Sequence, residues 1–191
     1  MIEIAKNKYS QVFYDYEKDV YIKKFTPKLK KKIKYFFKLR KYPGENCKYI
    51  SDIFNKLKIK TPEVVETGKY YIITKNIPGK MLDKVLDEEN DTEKIKKYLK
   101  EYIEIVSVII KNKIYYADFH FGNFILYNEE LYILDLEDYK KDILFVFRRK
   151  KLLKLLKQKL TVIIYDKLMK KGINADNIYN EIENNISMRR K

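Results

Sequence analysis

The 191-residue chain carries a formal charge of +15, one cysteine and no tryptophan. This length can remove roughly 70% of the unfolded surface from water, in one domain or in two small lobes. The lone Cys47 excludes an internal disulfide and fits a reducing compartment. No stretch reaches the ~20 apolar residues of a membrane span, and the N-terminus lacks an apolar signal core. The expectation is a cytoplasmic protein, either soluble or resting on a membrane surface. Only five of the 42 basic residues are Arg, in a chain also rich in Ile, Asn and Tyr. The lysine excess therefore reads partly as the bias of an AT-rich genome and argues only weakly for anionic partners. Its distribution says more, because residues 28–41 hold eight basic side chains and no acidic one.

Aromatic and β-branched residues predict strands over 9–14 and 19–25, joined by a polar turn. Thr26-Pro27 then suits a helix start, and Leu29, Ile33, Phe36, Phe37 and Leu39 keep helical spacing to about Lys41, where Tyr42-Pro43-Gly44 breaks it. A second helix is expected over 45–57, followed by strands over 63–67 and 70–74. Residues 75–79 separate a strand-rich part (1–78) from a helical part (79–191), and the domain boundary is placed there. Asp91 and Thr92 open a helix whose apolar positions, Ile95 to Ile110, continue for about five turns and predict the central buried helix of the second part. A hairpin follows over 124–135, then helices over 143–171 and 177–186.

The chemistry-bearing residues cluster late. Asp118 sits in an irregular segment after the long helix, Asn123 lies five residues on, and Asp135 ends the apolar hairpin. One carboxylate can orient an attacking hydroxyl and accept its proton, while an amide and a second carboxylate can hold Mg²⁺ on nucleotide phosphates. A hairpin between Asn123 and Asp135 is expected to bring the two close enough to share a metal. His120, the only histidine, is expected to be a packed residue bonded to the loop backbone rather than a base. One His and one distant Cys cannot assemble a zinc site, and no Gly-x-Ser-x-Gly elbow exists for a serine hydrolase. Lys23 or Lys24 could meet phosphates from its strand; alternation admits only one of them, and Lys23, on the face of Tyr21, is preferred. Glu45 is its expected counter-ion, with Asp52 as the alternative.

These residues carry a resemblance. The segment Tyr116-Ala117-Asp118-Phe119-His120-Phe121-Gly122-Asn123, then Ile133-Leu134-Asp135-Leu136-Glu137-Asp138, resembles the His-x-Asp-x-His-x-x-Asn and Ile-Asp-Leu/Phe motifs of kinase-like small-substrate phosphotransferases. It is most similar to the lipopolysaccharide core heptose(II) kinase family. The strand around Lys23, the step Thr61-Pro62-Glu63-Val64 and the hinge Asn76-Ile77-Pro78-Gly79 look like further motifs of that family, in the same order. The resemblance implies an α+β, protein-kinase-like bilobal fold with a small antiparallel N-lobe and a minimal helical C-lobe. It implies ATP and Mg²⁺ as cofactors and phosphate transfer to a heptose hydroxyl of the lipopolysaccharide inner core. Asp118 would be the catalytic base, Asn123 and Asp135 the metal ligands, and Lys23, paired with Glu45, the phosphate contact.

The departures are specific. Tyr116 stands where the family has its first His, no Gly precedes Gly44, and Glu137 occupies the place of a protein kinase's Gly. The turns near 6–9 or 15–18 must therefore serve in place of a glycine-rich loop. No Ala-Pro-Glu segment follows Asp135, which suits an acceptor smaller than a protein, of the aminoglycoside or choline type if not heptose. The basic helix over 28–41 would gain roughly 1 kcal/mol per Lys near an anionic leaflet, its apolar face either packing internally or meeting lipid. A non-catalytic kinase-like scaffold is the rival of another class. A nucleic-acid binder is disfavoured, since the aromatics follow strand and helix patterns instead of forming a stacking platform.

Overall fold

The computed structural model describes residues 1–162 and 165–188, and no helix among them is long and apolar enough to cross a membrane. The architecture is α+β, in two compact units: Met1–Pro78 with Asp135–Tyr139, and Gly79–Leu134 with the chain from Lys140 onward. A single cut at 78/79, as expected from sequence, misses the five residues that rejoin the first unit.

The first unit is built on an antiparallel sheet of order β1-β2-β3-β5-β4, from β1 (Ile2–Lys6), β2 (Ser10–Asp15), β3 (Val20–Phe25), β4 (Val64–Thr67) and β5 (Tyr71–Lys75). Register pairs Lys23 with Val12 on one side and Ile72 on the other, so β3 is central and held along both edges. The strand ends at Phe25 as expected, but Thr26 does not cap a helix: its amide donates to the Tyr9 carbonyl (2.8 Å). The helix α1 therefore starts later, Leu29–Phe36, and stops short of Lys41, because Lys38 adopts a left-handed conformation (φ 53°). The next helix, α2 (Pro43–Lys56), starts earlier than expected. Pro43 occupies its first turn, where a missing N–H costs nothing and the fixed φ favours the helix. Gly44 is required there, since a Cβ would strike the carbonyl oxygens of Gly68 and Tyr71. From α2, Cys47, Ile50 and Phe54 are buried at i, i+3 and i+7, on a helix that packs against β4 and β5. Each such side chain contributes about 1.5–3 kcal/mol of burial.

In the second unit, β6 (Lys80–Met81) leads into α3 (Leu82–Glu88), which no sequence signal flagged, and then α4 (Thr92–Lys111). The Asp91 carboxylate caps α4 by accepting from the amides of Glu93 (2.9 Å) and Lys94 (3.3 Å). Its buried stripe of Ile95, Leu99, Tyr102, Val106 and Ile109 makes it the core helix. A short strand β7 (Ile114–Tyr115) pairs with β10 (Lys140–Lys141). The hairpin of β8 (Phe124–Tyr127) and β9 (Glu130–Ile133) turns through Asn128 and Glu129, both at positive φ (49° and 61°), as a two-residue turn of matching twist requires. The helices α5 (Phe145–Val162), α6 (Tyr165–Lys170) and α7 (Ala175–Ser187) complete the unit, α7 packing on α4 and α5. Residues 163–164 of the helix expected over 143–171 lie outside the described residues.

Candidate functional site

In the first unit the chain brings Lys23 and Asp135 together across 112 positions of sequence. The Lys23 ammonium lies 2.6 Å from Asp135 Oδ1 and 2.6 Å from Glu137 Oε1. Lys24, on the opposite face of β3, lies over the Phe13 ring (5.3 Å to its centroid), so the pleat directs only Lys23 to the carboxylates. Burial alone would pull the Lys23 pKa down, but attraction to Glu137 and Asp135 outweighs it and leaves the ammonium strongly favoured. The Glu137 pKa is raised as well, which for an acid favours the neutral form. Burial, reinforced by repulsion from Asp135, raises its pKa above the ordinary value despite Lys23. Two carboxylates thus share one cation, and the cluster holds a surplus negative charge.

Glu45 does not serve as this counter-ion. It lies exposed in the first turn of α2, while Asp52 forms an ordinary surface pair with Lys48 (2.7 Å). The partner that the helix was expected to supply comes from Glu137, two residues after Asp135. Asn46, next to Glu45 and buried, fixes that segment: its Nδ2 donates to the carbonyls of Leu136 (3.4 Å), Glu137 (3.1 Å) and Tyr139 (2.8 Å). Arg40 adds a bond to the Glu137 carbonyl (3.1 Å) and reaches Asp138 (3.2 Å). Asp135 itself is left-handed (φ 55°, ψ 48°), a conformation that Asp tolerates and that clusters where a side chain must be aimed.

Lys23, Asp135, Glu137 and Asp138 line a cleft of about 350 Å³. Its far side is the β1–β2 turn, Asn7, Tyr9 and Ser10, and its rim carries Lys28, Lys31 and Arg40. The turn needs no glycine because the Asn7 side chain folds it, accepting from the amides of Tyr9 (2.7 Å) and Ser10 (2.9 Å). Among the described residues no three His, Cys, Asp or Glu side chains stand together as a metal cage. A site for Mg²⁺ needs no such cage, since that ion usually takes one or two carboxylates and completes its shell with substrate phosphates and water. Asp135, with the neighbouring surplus of charge, fits that donor set.

Asp118 and Asn123 lie in the second unit, on one loop. Asn123 is buried, and its Nδ2 donates to the Tyr116 hydroxyl (2.5 Å) and the Asp118 carbonyl (3.0 Å). Tyr116, where the related motif has His, is therefore part of the loop's internal bonding. Tyr102 of α4 donates its hydroxyl to the Phe119 carbonyl (2.7 Å) from below. With the backbone so held, the Asp118 carboxylate stays half exposed (50%) and bonds Lys159 of α5. His120 Nε2 lies 3.7 Å from the Asp118 carboxylate, while the Nδ1 edge of the ring lies against Gly122 of the loop. Burial lowers the pKa of Lys159. The Leu134 amide donates to the Asn123 carbonyl (2.9 Å), tying the end of the hairpin to the loop.

Sequence reasoning missed Glu137, Asn46 and Lys159. Glu137 had a signal: it shares the strand-end stretch with Asp135 and is an acid where a small residue was expected. Asn46 adjoins the chosen Glu45 but points inward. Lys159, one of 42 basic residues, carries no local mark at all. Compared with protein-family models and with curated proteins, the chain matches none.

Proposed function

We propose that this chain is an ATP- and Mg²⁺-dependent phosphotransferase of protein-kinase-like fold, acting on a hydroxyl of a small acceptor. The observation that carries the reading is Lys23, on the third strand of an antiparallel sheet, held between Asp135 and Glu137 at 2.6 Å each. A strand lysine paired with a carboxylate, together with an aspartate placed to take a metal, is the nucleotide-handling set of kinases. The adjoining cleft has a polar turn on one side and cations on its rim, suited to a triphosphate.

In this reading Lys23 would bind phosphate oxygens and Asp135 would hold Mg²⁺, which when bound would neutralise charge on the phosphates. Asp118 accepts the proton of the acceptor hydroxyl as its oxygen forms a bond to the γ-phosphorus and the bond from that phosphorus to the β,γ-bridging oxygen breaks, releasing ADP. Lys159 bonds the Asp118 carboxylate and would orient it toward the acceptor. The place of Asn123 as second metal ligand rests on the motif pattern, and so does heptose of the lipopolysaccharide inner core as acceptor, with the reaction in the cytoplasm.

The test is purified protein with labelled ATP, Mg²⁺ and a panel of core saccharides, aminoglycosides and choline, read by mass spectrometry. Asp118→Asn should abolish transfer while nucleotide still binds; Asp135→Ala should abolish Mg²⁺-dependent nucleotide binding. Transfer at the parent rate by both variants would refute the assignment.

A further inference from the structure

The helix α1 buries almost nothing of itself. Of its residues only Tyr35 is buried, whereas Leu29, Ile33 and Phe36 are exposed, Phe36 by 76%, as are Phe37 and, at 77%, Leu39 just beyond. Leu29, Ile33 and Phe36 fall at i, i+4 and i+7 and form one stripe. Lys30 and Lys34 run along one side of it and Lys32 along the other, while Tyr35 and Lys31 face the opposite way. Lys31 is turned to Asp138 (3.5 Å), and Phe36 and Phe37 stack edge to face at 5.3 Å, presenting a paired aromatic knob to solvent. No acidic residue interrupts 28–41 to neutralise the lysines.

An apolar stripe bordered by unopposed cations matches one kind of surface: a bilayer with anionic headgroups, where apolar side chains enter the acyl boundary and lysines reach phosphate oxygens. A nucleic acid would engage the lysines but leave Leu29, Ile33 and Leu39 wet. An acidic protein groove satisfies neither the aromatic knob nor cations on both flanks as fully as a continuous charged plane. We propose that α1, with the Phe37–Leu39 segment after it, is the docking element that holds this protein on an anionic lipid surface. The proposal goes beyond phosphotransfer and is read without nucleotide or acceptor, so either can fail alone.

The chain has no tryptophan, so Phe36→Trp installs a single fluorescent reporter at an exposed position. Its emission should shift to the blue with vesicles of phosphatidylcholine and phosphatidylglycerol and stay unchanged with phosphatidylcholine alone. In co-sedimentation the parent should bind only the anionic vesicles. Replacing Lys30, Lys32 and Lys34 together by Gln should weaken binding by about fivefold per lysine, on the order of 100-fold in all, and added salt should do the same. Ile33→Ser with Phe36→Ser and Phe37→Ser should also release the protein. All six positions are exposed, and the circular dichroism of both variants should match the parent. Vesicle binding that survives the apolar variant, or a reporter that never shifts, overturns the proposal. So does binding lost instead with Phe147→Ser, a residue of the second unit that is 84% exposed, or a parent dimer in solution that the apolar variant dissociates.

Discussion

Replacing Glu137 by Gln keeps the shape of the side chain and removes its charge. At 2.6 Å the attraction between Glu137 and Lys23 is about 6 kcal/mol with an effective dielectric constant near 20. Against it stand desolvation of two largely buried groups, several kcal/mol each, and repulsion from Asp135. The raised pKa of Glu137 gives the sign of the balance: burial and Asp135 win over Lys23. A folded-state pKa above the ordinary 4.5 means that the folded protein holds this proton more tightly than the unfolded chain does. Stability contributed by the protonated form is present below 4.5 and is lost as pH rises through the folded value. Glu137→Gln should therefore be neutral or stabilising at pH 7, within about 1 kcal/mol, and its advantage over the parent should grow as pH rises through that window. Nucleotide binding should move the other way. With Glu137 neutral, Lys23 keeps a full charge-assisted bond to Asp135 alone and competes with Mg²⁺ for it, at a cost of about 1.5–3 kcal/mol. That is about 10- to 100-fold in the affinity for Mg²⁺–ATP, measured by calorimetric titration beside guanidinium unfolding of the same variants. Glu45→Gln is the matched control and should change neither quantity. If Glu137→Gln loses several kcal/mol of stability and binds nucleotide as the parent does, Glu137 is a structural residue and the reasoning fails.

Asn46→Ala removes the donor shared by three carbonyls around Glu137 and should cost about 2–3 kcal/mol in chemical denaturation; Asn46→Asp, which turns a carboxylate toward those oxygens, should cost more. Equal stability of Asn46→Ala and parent would remove the clamp from the account. Tyr102→Phe deletes the bond to the Phe119 carbonyl and should lower stability by about 1–2 kcal/mol and slow transfer through the Asp118 loop, with nucleotide affinity unchanged. Cys47 is 2% exposed and its thiol pKa is raised by burial, so iodoacetamide should label the native protein only at the rate of opening, and rapidly once guanidinium unfolds it. Fast labelling under native conditions would contradict the packing of α2.

Local chemistry made much of this readable in sequence. The stripe from Ile95 to Ile110 and the cap at Asp91 specify α4 by themselves, and the alternation that puts Lys23 and Lys24 on opposite faces follows from the pleat. Boundaries were less legible where a distant partner intervened. The Thr26 amide is taken by the Tyr9 carbonyl and α1 starts beyond it, and Pro43 begins a helix instead of breaking one because it falls in the first turn. The site divided in the same manner. Asp118, Asn123 and Asp135 stand out in sequence as candidates from their order along a loop and hairpin, whereas the carboxylate that meets Lys23 beside Asp135 does not.

What the sequence determined alone was where the longer helices and most strands lie, though not α3 or β1, since periodicity, caps and turn residues act over a few positions. What only the tertiary structure decided was which carboxylate meets Lys23, and which of two apolar stripes stays in water. Residues 112 apart meet through the closure of a whole unit, and Glu45 lost its assigned place to Glu137 because Asn46 holds the 136–139 backbone against α2. Likewise α1 and α4 both read as amphipathic, and packing buried ten residues of α4 but one of α1. No local rule carries that information, because burial is a property of what the rest of the chain brings to a surface.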